Sequence, residues 1–240
     1  MDHAGNEKTG AAVEPRIENF LTDLSVRRRL LLLGGLAIVK HGLSRYTKDA
    51  DIWMEPAASA AEWARSLTEA LALHPGVSAN SLFPPRKIAD HEVEKLIEAE
   101  RVLRILGFEV PLDIFRNPNE LEHLSFDEAW EASEPFSGGL RLMSASHLIL
   151  TKSGTGRLQD ELDIQFLENQ LQKRLAPELK VCNPSRAKEI LTEYMDQVLL
   201  EAALENPDAT VREMGRVHLK QFMEEGDPFA RDAWVRHFGA

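Results

Sequence analysis

Cysteine is almost absent from this chain, which has Cys182 alone among its 240 residues. A single cysteine excludes an internal disulfide, and without a Cys-x-x-Cys pair or a His/Cys cluster there is no candidate structural zinc site. The sequence also lacks the apolar run of about 18 or more residues that a transmembrane helix needs. Residues 1–15 are small and polar where a signal peptide would have an apolar centre. We therefore expect a cytoplasmic protein with no membrane partner and a disordered N-terminus over residues 1–15.

Basic residues are in the minority. Lysine and arginine together number 28 against 39 aspartates and glutamates, which gives a formal net charge of −11. Because binding along a nucleic-acid backbone depends on Lys and Arg displacing counterions, this balance argues against a protein that coats nucleic acid. An RNA partner would need a local basic patch, for which Arg27, Arg28, Arg29 and Lys40 are the candidates. A cationic small molecule suits the acidic charge slightly better.

The chain divides into a mixed part and a helical part. Hydrophobic residues make up 43% of the sequence, enough for a core of ordinary size. Residues 16–143 alternate between helix and strand patterns, whereas residues 144–240 are helical in pattern. The predicted fold is therefore α/β (α+β), with a small mixed β-sheet flanked by helices and followed by a C-terminal helical region.

A strand, a diglycine turn, a short helix and a second strand follow one another between residues 30 and 55. The run LLLL is typical of a buried strand, and Gly34 and Gly35 end it in a tight turn. Such a turn at the start of a helix presents backbone N–H groups to phosphate. Asp49 and Asp51 lie two residues apart at the second strand, so both carboxylates point to the same face.

Asp113 is the candidate for a third carboxylate. The segments RVLRIL and PLDIFR predict two strands around a turn, and Leu112 and Ile114 on one face place Asp113 on the other. Three carboxylates suit Mg²⁺ or Mn²⁺, with two ions roughly 3.5–4 Å apart. Taken singly, these residues have ordinary structural explanations: turn glycines, capping or loop carboxylates, and a surface aspartate. Their order and spacing together favour a metal site.

These residues carry a resemblance to a known superfamily. The segment LLLLGGLAIVKHGLSRYTKDADIWMEP resembles the opening of the DNA polymerase β-like nucleotidyltransferases, in which Gly-Gly or Gly-Ser precedes Asp-x-Asp or Asp-x-Glu in a strand. The 13 residues between Gly35 and Asp49 are at the upper end of that spacing. The finer pattern is similar to the branch of AbiEii-like toxins and related uncharacterised bacterial nucleotidyltransferases; it comprises Gly34, Gly35, Ala37, His41, Gly42, Arg45, Thr47, Asp49 and Asp51.

A second segment, KSGTGRLQDELDIQFL, resembles the same branch. That branch carries a Lys, Arg, Lys-Asp, then Asp pattern after its catalytic core, which is matched here by Lys152, Arg157, Asp160 and Asp163. Gln159 stands where the lysine of the Lys-Asp pair is usual.

The resemblance implies an enzyme with a nucleotidyltransferase core over residues 16–143. It would transfer a nucleotidyl group from a nucleoside triphosphate such as ATP to an acceptor hydroxyl, with Asp49, Asp51 and Asp113 as catalytic metal ligands. Its implied nucleotide-binding residues are Gly34, Gly35, Arg45 and Lys152, with Thr47, Arg157, Asp160 and Asp163 as further candidates. A structural ion pair is an equal alternative for Arg45. A helix cap linked to Arg157 is at least as good a reading of Asp160 and Asp163 as catalysis.

The acceptor and the activity itself remain open at the level of sequence. A toxin-like enzyme would act on RNA such as tRNA and would have an antitoxin protein as a partner, while an aminoglycoside-type enzyme would modify a small molecule. A catalytically silent protein that binds a nucleotide or a partner is the non-enzymatic alternative. A nuclease using the same carboxylates has less support, because the diglycine turn would then have no purpose.

Overall fold

The computed structural model describes residues 14–118, 124–136 and 139–239. Helices and a mixed β-sheet are combined in this part of the chain, which confirms the predicted α+β class. The sheet is larger than the small one predicted, since eight strands pair within the described residues. Two of the eight are only two residues long, too short to give a clear alternation of polar and apolar residues.

The elements up to Phe115 are α1 (Pro15–Ser25), β1 (Leu30–Leu33), α2 (Gly34–Lys40), β2 (Ala50–Met54), α3 (Ala60–Leu71), β3 (Ser78–Ser81), β4 (Arg86–Lys87), α4 (Val93–Glu100), β5 (Val102–Leu106) and β6 (Leu112–Phe115). A short 3₁₀ helix at Asp90–Glu92 precedes α4. The later elements are α5 (Phe126–Glu131), β7 (Glu134–Pro135), β8 (Leu140–Leu142), α6 (Ala145–Lys152), α7 (Leu158–Leu179), α8 (Pro184–Glu193), α9 (Gln197–Leu204), α10 (Ala209–Glu224) and α11 (Pro228–Phe238).

The sheet has the strand order β4-β3-β5-β6-β2-β1-β8-β7. Strand β2 lies between β1, to which it is antiparallel, and β6, to which it is parallel. Strands β5 and β6 form the antiparallel pair that the sequence predicted. The two strands that carry the candidate aspartates are therefore neighbours in the middle of the sheet.

The core fixes these central strands. All four leucines of β1 are buried, and burying a leucine side chain contributes roughly 1.5–3 kcal/mol. Helix α2 packs on β1 and β2, while α1 contacts α3, which in turn contacts α4. The buried face of α1 consists of Ile17, Phe20, Leu21 and Leu24, at the helical spacing expected for a docked surface helix.

Two compact units divide within α7, between Ile164 and Gln165. The sequence suggested a division between residues 143 and 144, where the helical pattern begins. Every described element after β8 is helical, and the compact unit that contains the sheet also includes α6 and the start of α7. Asp163 in that part of α7 is bonded to Arg45 before β2. The second unit is helical, with α10 packed against α9 and α11.

The predicted disorder of residues 1–15 can be compared with the structure only at residues 14 and 15. Residues 1–13 of the predicted disordered segment lie outside the described residues, whereas Pro15 already begins α1. In the part of the chain that the structure describes, no helix has both the length and the apolar character needed to cross a bilayer.

Candidate active site

The three predicted aspartates meet at one place in the sheet. Asp51 of β2 lies in register with Asp113 of β6, and Asp49 directly precedes β2. A single guanidinium nitrogen, Nη2 of Arg104, is 2.6 Å from Oδ2 of Asp113 and 3.9 Å from Oδ2 of Asp49. The structure therefore brings Asp49, Asp51 and Asp113 together as one acidic cluster.

Asp51 is the carboxylate most affected by its surroundings. Burial raises the pKa of Asp51 to about 7, and repulsion from Asp49 and Asp113 acts in the same direction. Lys152 and the backbone N–H of Gly35 oppose this rise without cancelling it. Since an additional nearby cation would lower this pKa, the cluster is short of positive charge.

Asp113 is far more buried than an isolated surface aspartate. It is only 6% exposed, although its side chain points away from the face shared by Leu112 and Ile114. Burying an unpaired carboxylate would be unfavourable by several kcal/mol, so its burial demands a partner. Arg104, directly opposite on β5, is that partner.

The diglycine turn faces Asp51. Gly34 has a φ of +66°, and a Cβ at this position would come within 1.8 Å of Oδ2 of Asp51. The N–H of Gly35 donates to the same carboxylate, so the turn orients Asp51 directly. A Cβ on Gly35 would lie 2.6 Å from Oγ1 of Thr47 and 2.9 Å from Nη2 of Arg45. A side chain at either position would collide with these neighbours, so both positions require glycine. Contact of the two glycines with phosphate stays a prediction.

Arg104 is the site residue that sequence reasoning missed. Its Nε donates to Oδ1 of Asp113 at 2.8 Å and its Nη2 to Oδ2 at 2.6 Å, which makes a two-pronged ion pair. Hydrogen bonding to Asp113 also raises the pKa of Arg104. A signal was present in the sequence, because Arg104 is flanked by the apolar Leu103 and Ile105 and so shares the polar face of its hairpin with Asp113.

Lys152 and Arg45 lie in a second, buried network. Nζ of Lys152 is 2.7 Å from Oδ1 of Asp160 and 2.8 Å from Oδ2 of Asp163, while Nη2 of Arg45 is 2.8 Å from that same Oδ2. Lys152 is 6% exposed and Asp163 is 0% exposed. The structural ion pair weighed for Arg45 therefore exists, and Lys152 is not a solvated helix end.

The remaining candidate residues make hydrogen bonds within the acidic cluster or within the network around Lys152. Nε of Arg157 donates to Oδ2 of Asp160 at 2.6 Å, as the structural reading of that pair expected. Although burial opposes ionisation of Asp160, Lys152 and its other partners outweigh it, and the pKa of Asp160 is lowered. Oγ1 of Thr47 donates to the carbonyl oxygen of Asp49 at 2.9 Å and so holds the backbone of that aspartate.

The fit of this site to a divalent ion depends on Arg104. Carboxylate oxygens are the ligands that Mg²⁺ and Mn²⁺ prefer, and the site has three carboxylates. Among the described residues, however, no group of three or more His, Cys, Asp or Glu side chains is arranged to hold a metal ion. Both oxygens of Asp113 are instead engaged by the guanidinium.

Comparison with protein families and with curated proteins found no relative of this chain. No protein-family model matches this chain, and no curated protein matches its sequence. The likeness to the polymerase β-like nucleotidyltransferases therefore remains a resemblance carried by the residues described above.

Proposed function

We propose that this chain is a metal-dependent nucleotidyltransferase, which moves a nucleotidyl group from a nucleoside triphosphate to an acceptor hydroxyl. The observation that carries the proposal is the meeting of Asp49, Asp51 and Asp113, from two neighbouring strands, beside a glycine turn that admits no side chain. Holding carboxylates of like charge close together in a partly buried place costs free energy, and such arrangements cluster at functional sites, so their convergence supports a functional site.

The acidic cluster would hold Mg²⁺ or Mn²⁺. When bound, the ion would neutralise charge on the triphosphate and lower the pKa of the attacking hydroxyl. The carboxylate of Asp51 is held in place by the N–H of Gly35, and the backbone of Asp49 is held by Thr47, so this part of the site is ordered before any ligand arrives. Such preorganisation is what a site that stabilises a charged transition state requires.

Arg45 and Lys152 would contact the phosphates through donors that remain unused. An ammonium has three donors, of which Lys152 uses two on Asp160 and Asp163. Nε of Arg45 is buried and has no hydrogen-bond partner among the described residues. Because this nitrogen is buried, a phosphate oxygen would reach it only after a movement of the Arg45 side chain, and would then satisfy the donor.

The proposed reaction is an in-line transfer of the nucleotidyl group. The oxygen of the acceptor hydroxyl attacks the α-phosphorus, the bond from that phosphorus to the bridging oxygen breaks, and pyrophosphate leaves with the electron pair. A carboxylate of the acidic cluster accepts the hydroxyl proton. The products are a nucleotidylated acceptor and pyrophosphate.

The test is pyrophosphate release from each of the four nucleoside triphosphates in Mg²⁺, with bulk tRNA and then with aminoglycosides as acceptors. Asp49→Asn and Asp51→Asn should each lower turnover roughly 100-fold or more, because each removes a metal ligand. Asp127→Asn is the matched control: Asp127 is exposed and pairs with Arg29, away from the acidic cluster, so turnover should be unchanged.

Two other outcomes would point elsewhere. No turnover with any acceptor, together with equal triphosphate affinity in the wild type and in Asp51→Asn, would favour a silent binding protein with a nucleotide or an antitoxin-like partner. Cleavage of RNA without a triphosphate would favour a nuclease.

One observation favours the small-molecule acceptor over tRNA. Each arginine of the basic cluster that an RNA would contact is paired with a carboxylate: Arg27 with Glu69, Arg28 with Glu62, and Arg29 with Glu55 and Asp127. Paired arginines release few counterions on binding a phosphate backbone, so they contribute little affinity for RNA. Turnover with an aminoglycoside and none with tRNA is the result that this observation favours.

A further inference from the structure

The pair between Arg104 and Asp113 is unlike the other interactions of the acidic cluster, because it occupies a metal-ligand candidate completely. Both oxygens of Asp113 accept from the guanidinium, at 2.8 and 2.6 Å. The side chain of Arg104 is 32% exposed, against 8% for that of Asp113. The guanidinium is thus the outer partner, and the carboxylate is the one hidden beneath it.

Arg104 also interacts electrostatically with the other two carboxylates. Its Nη2 is 3.9 Å from Oδ2 of Asp49, and after Asp113 the attraction of Asp49 and Asp51 adds to the stabilisation of its charge. A cation shared by Asp49, Asp51 and Asp113 would have to lie where this guanidinium now lies or close beside it. The two positive charges would repel each other at that distance.

We propose that Arg104 is an internal counter-ion that competes with the divalent cation for Asp113 and thereby sets the metal affinity of the acidic cluster. The inference rests on the proposed function, since it takes the acidic cluster as the metal site. In the metal-free protein Arg104 offsets part of the negative charge of the cluster and allows Asp113 to be buried. Coordination by Asp113 requires the guanidinium to release at least one carboxylate oxygen, which its partly exposed position permits.

The test measures Mn²⁺ binding to the full chain without nucleotide, by the loss of free-Mn²⁺ signal in electron paramagnetic resonance. Arg104→Gln should bind Mn²⁺ several-fold more tightly than the wild type, because the competing charge is gone. In EDTA the same variant should have a lower Tm, since the three carboxylates then lack their counter-ion. Adding Mn²⁺ should therefore raise the Tm of Arg104→Gln more than that of the wild type.

Arg86→Gln is the matched control. Arg86 makes the same two-pronged contact with Glu92, at 3.2 and 2.8 Å, and lies on β4 at the end of the strand order, outside the acidic cluster. Its loss removes an equivalent ion pair but no competitor, so the affinity for Mn²⁺ should equal that of the wild type. Arg104→Lys serves if Arg104→Gln does not fold. An ammonium lacks the two parallel donors with which a guanidinium holds both carboxylate oxygens, so this variant should also bind Mn²⁺ more tightly than the wild type.

A double substitution assigns the effect to Asp113. In an Asp113→Asn background, Arg104→Gln should no longer tighten Mn²⁺ binding, since the contested ligand is absent. Equal Mn²⁺ affinity in the wild type, Arg104→Gln and Arg104→Lys overturns the competition by Arg104 and leaves the metal site standing. Absence of Mn²⁺ binding in all of them overturns the metal site as well.

Discussion

Replacing Asp51 by asparagine should stabilise the sheet-containing unit in neutral solution and have little effect in acid. The pKa of Asp51 is about 7 in the folded protein, against 3.8 for an aspartate without these surroundings. Between these values the folded state holds a proton that the unfolded chain has lost, so the wild type loses stability as the pH rises from about 4 to about 7. Below that window the carboxyl is neutral in both states.

The size of the effect follows from the shift. One pKa unit corresponds to about 1.4 kcal/mol, so a rise of about three units corresponds to at most about 4 kcal/mol above pH 7. Partial access of water to Asp51 reduces this figure, and we expect Asp51→Asn to be more stable than the wild type by roughly 2–4 kcal/mol at pH 8. The asparagine oxygen can still accept from the N–H of Gly35, so the geometry should persist.

The assay is urea unfolding in EDTA at about pH 3.5 and about pH 8, followed by tryptophan fluorescence. A Trp234→Phe background confines the signal to Trp53, Trp63 and Trp130, which all lie in the first compact unit. Asp127→Asn, which removes an exposed partner of Arg29, should change stability by less than about 1 kcal/mol at either pH. Equal stabilisation by Asp51→Asn at the two pH values, or none at pH 8, would refute the raised pKa of Asp51.

Three further changes test other parts of the site. Gly34→Ala should lower the Tm markedly, since its Cβ would come within 1.8 Å of the carboxylate of Asp51 in a φ that disfavours side chains; differential scanning calorimetry measures this. Asp163→Asn should destabilise the first unit by roughly 3–5 kcal/mol in urea unfolding, because it leaves the buried Lys152 without half of its counter-charge. Mg²⁺ at about 100 times its Kd should stabilise the wild type by about 2.7 kcal/mol, and the same concentration should stabilise Asp49→Asn less, as a thermal shift would show.

Local sequence patterns were sufficient to place the elements around the site. The all-leucine run ended by two glycines predicted β1 and its turn, and the apolar alternation around Asp113 predicted the β5–β6 pair. The extent of the sheet was not predictable, because β4 and β7 are only two residues long, and such short strands leave no alternating pattern in the sequence. The position of the unit boundary within α7 was not predictable either, because contacts such as that of Arg45 with Asp163 join residues far apart in the sequence.

The candidate site shows the same division between local and distant information. The spacing of Asp49 and Asp51 fixes their common face, but the register that sets Asp51 beside Asp113 depends on how β2 and β6 pair, which the sequence alone does not specify. Arg104 belongs to the site because the pairing of β5 with β6 places it opposite Asp113. The pairing of Lys152 with two aspartates likewise arises from the fold of α6 against α7, so the motif pointed to the residue without indicating its partners.

A crystal structure with Mn²⁺ and a non-hydrolysable nucleoside triphosphate, with the metal located by its anomalous scattering, tests the central claim most directly. We expect an anomalous peak in contact with Asp49 and Asp51, the triphosphate beside Gly34 and Gly35, and Arg104 withdrawn from at least one oxygen of Asp113. An anomalous peak and a triphosphate bound away from the acidic cluster, with Asp113 still held by Arg104 through both oxygens, would contradict the account.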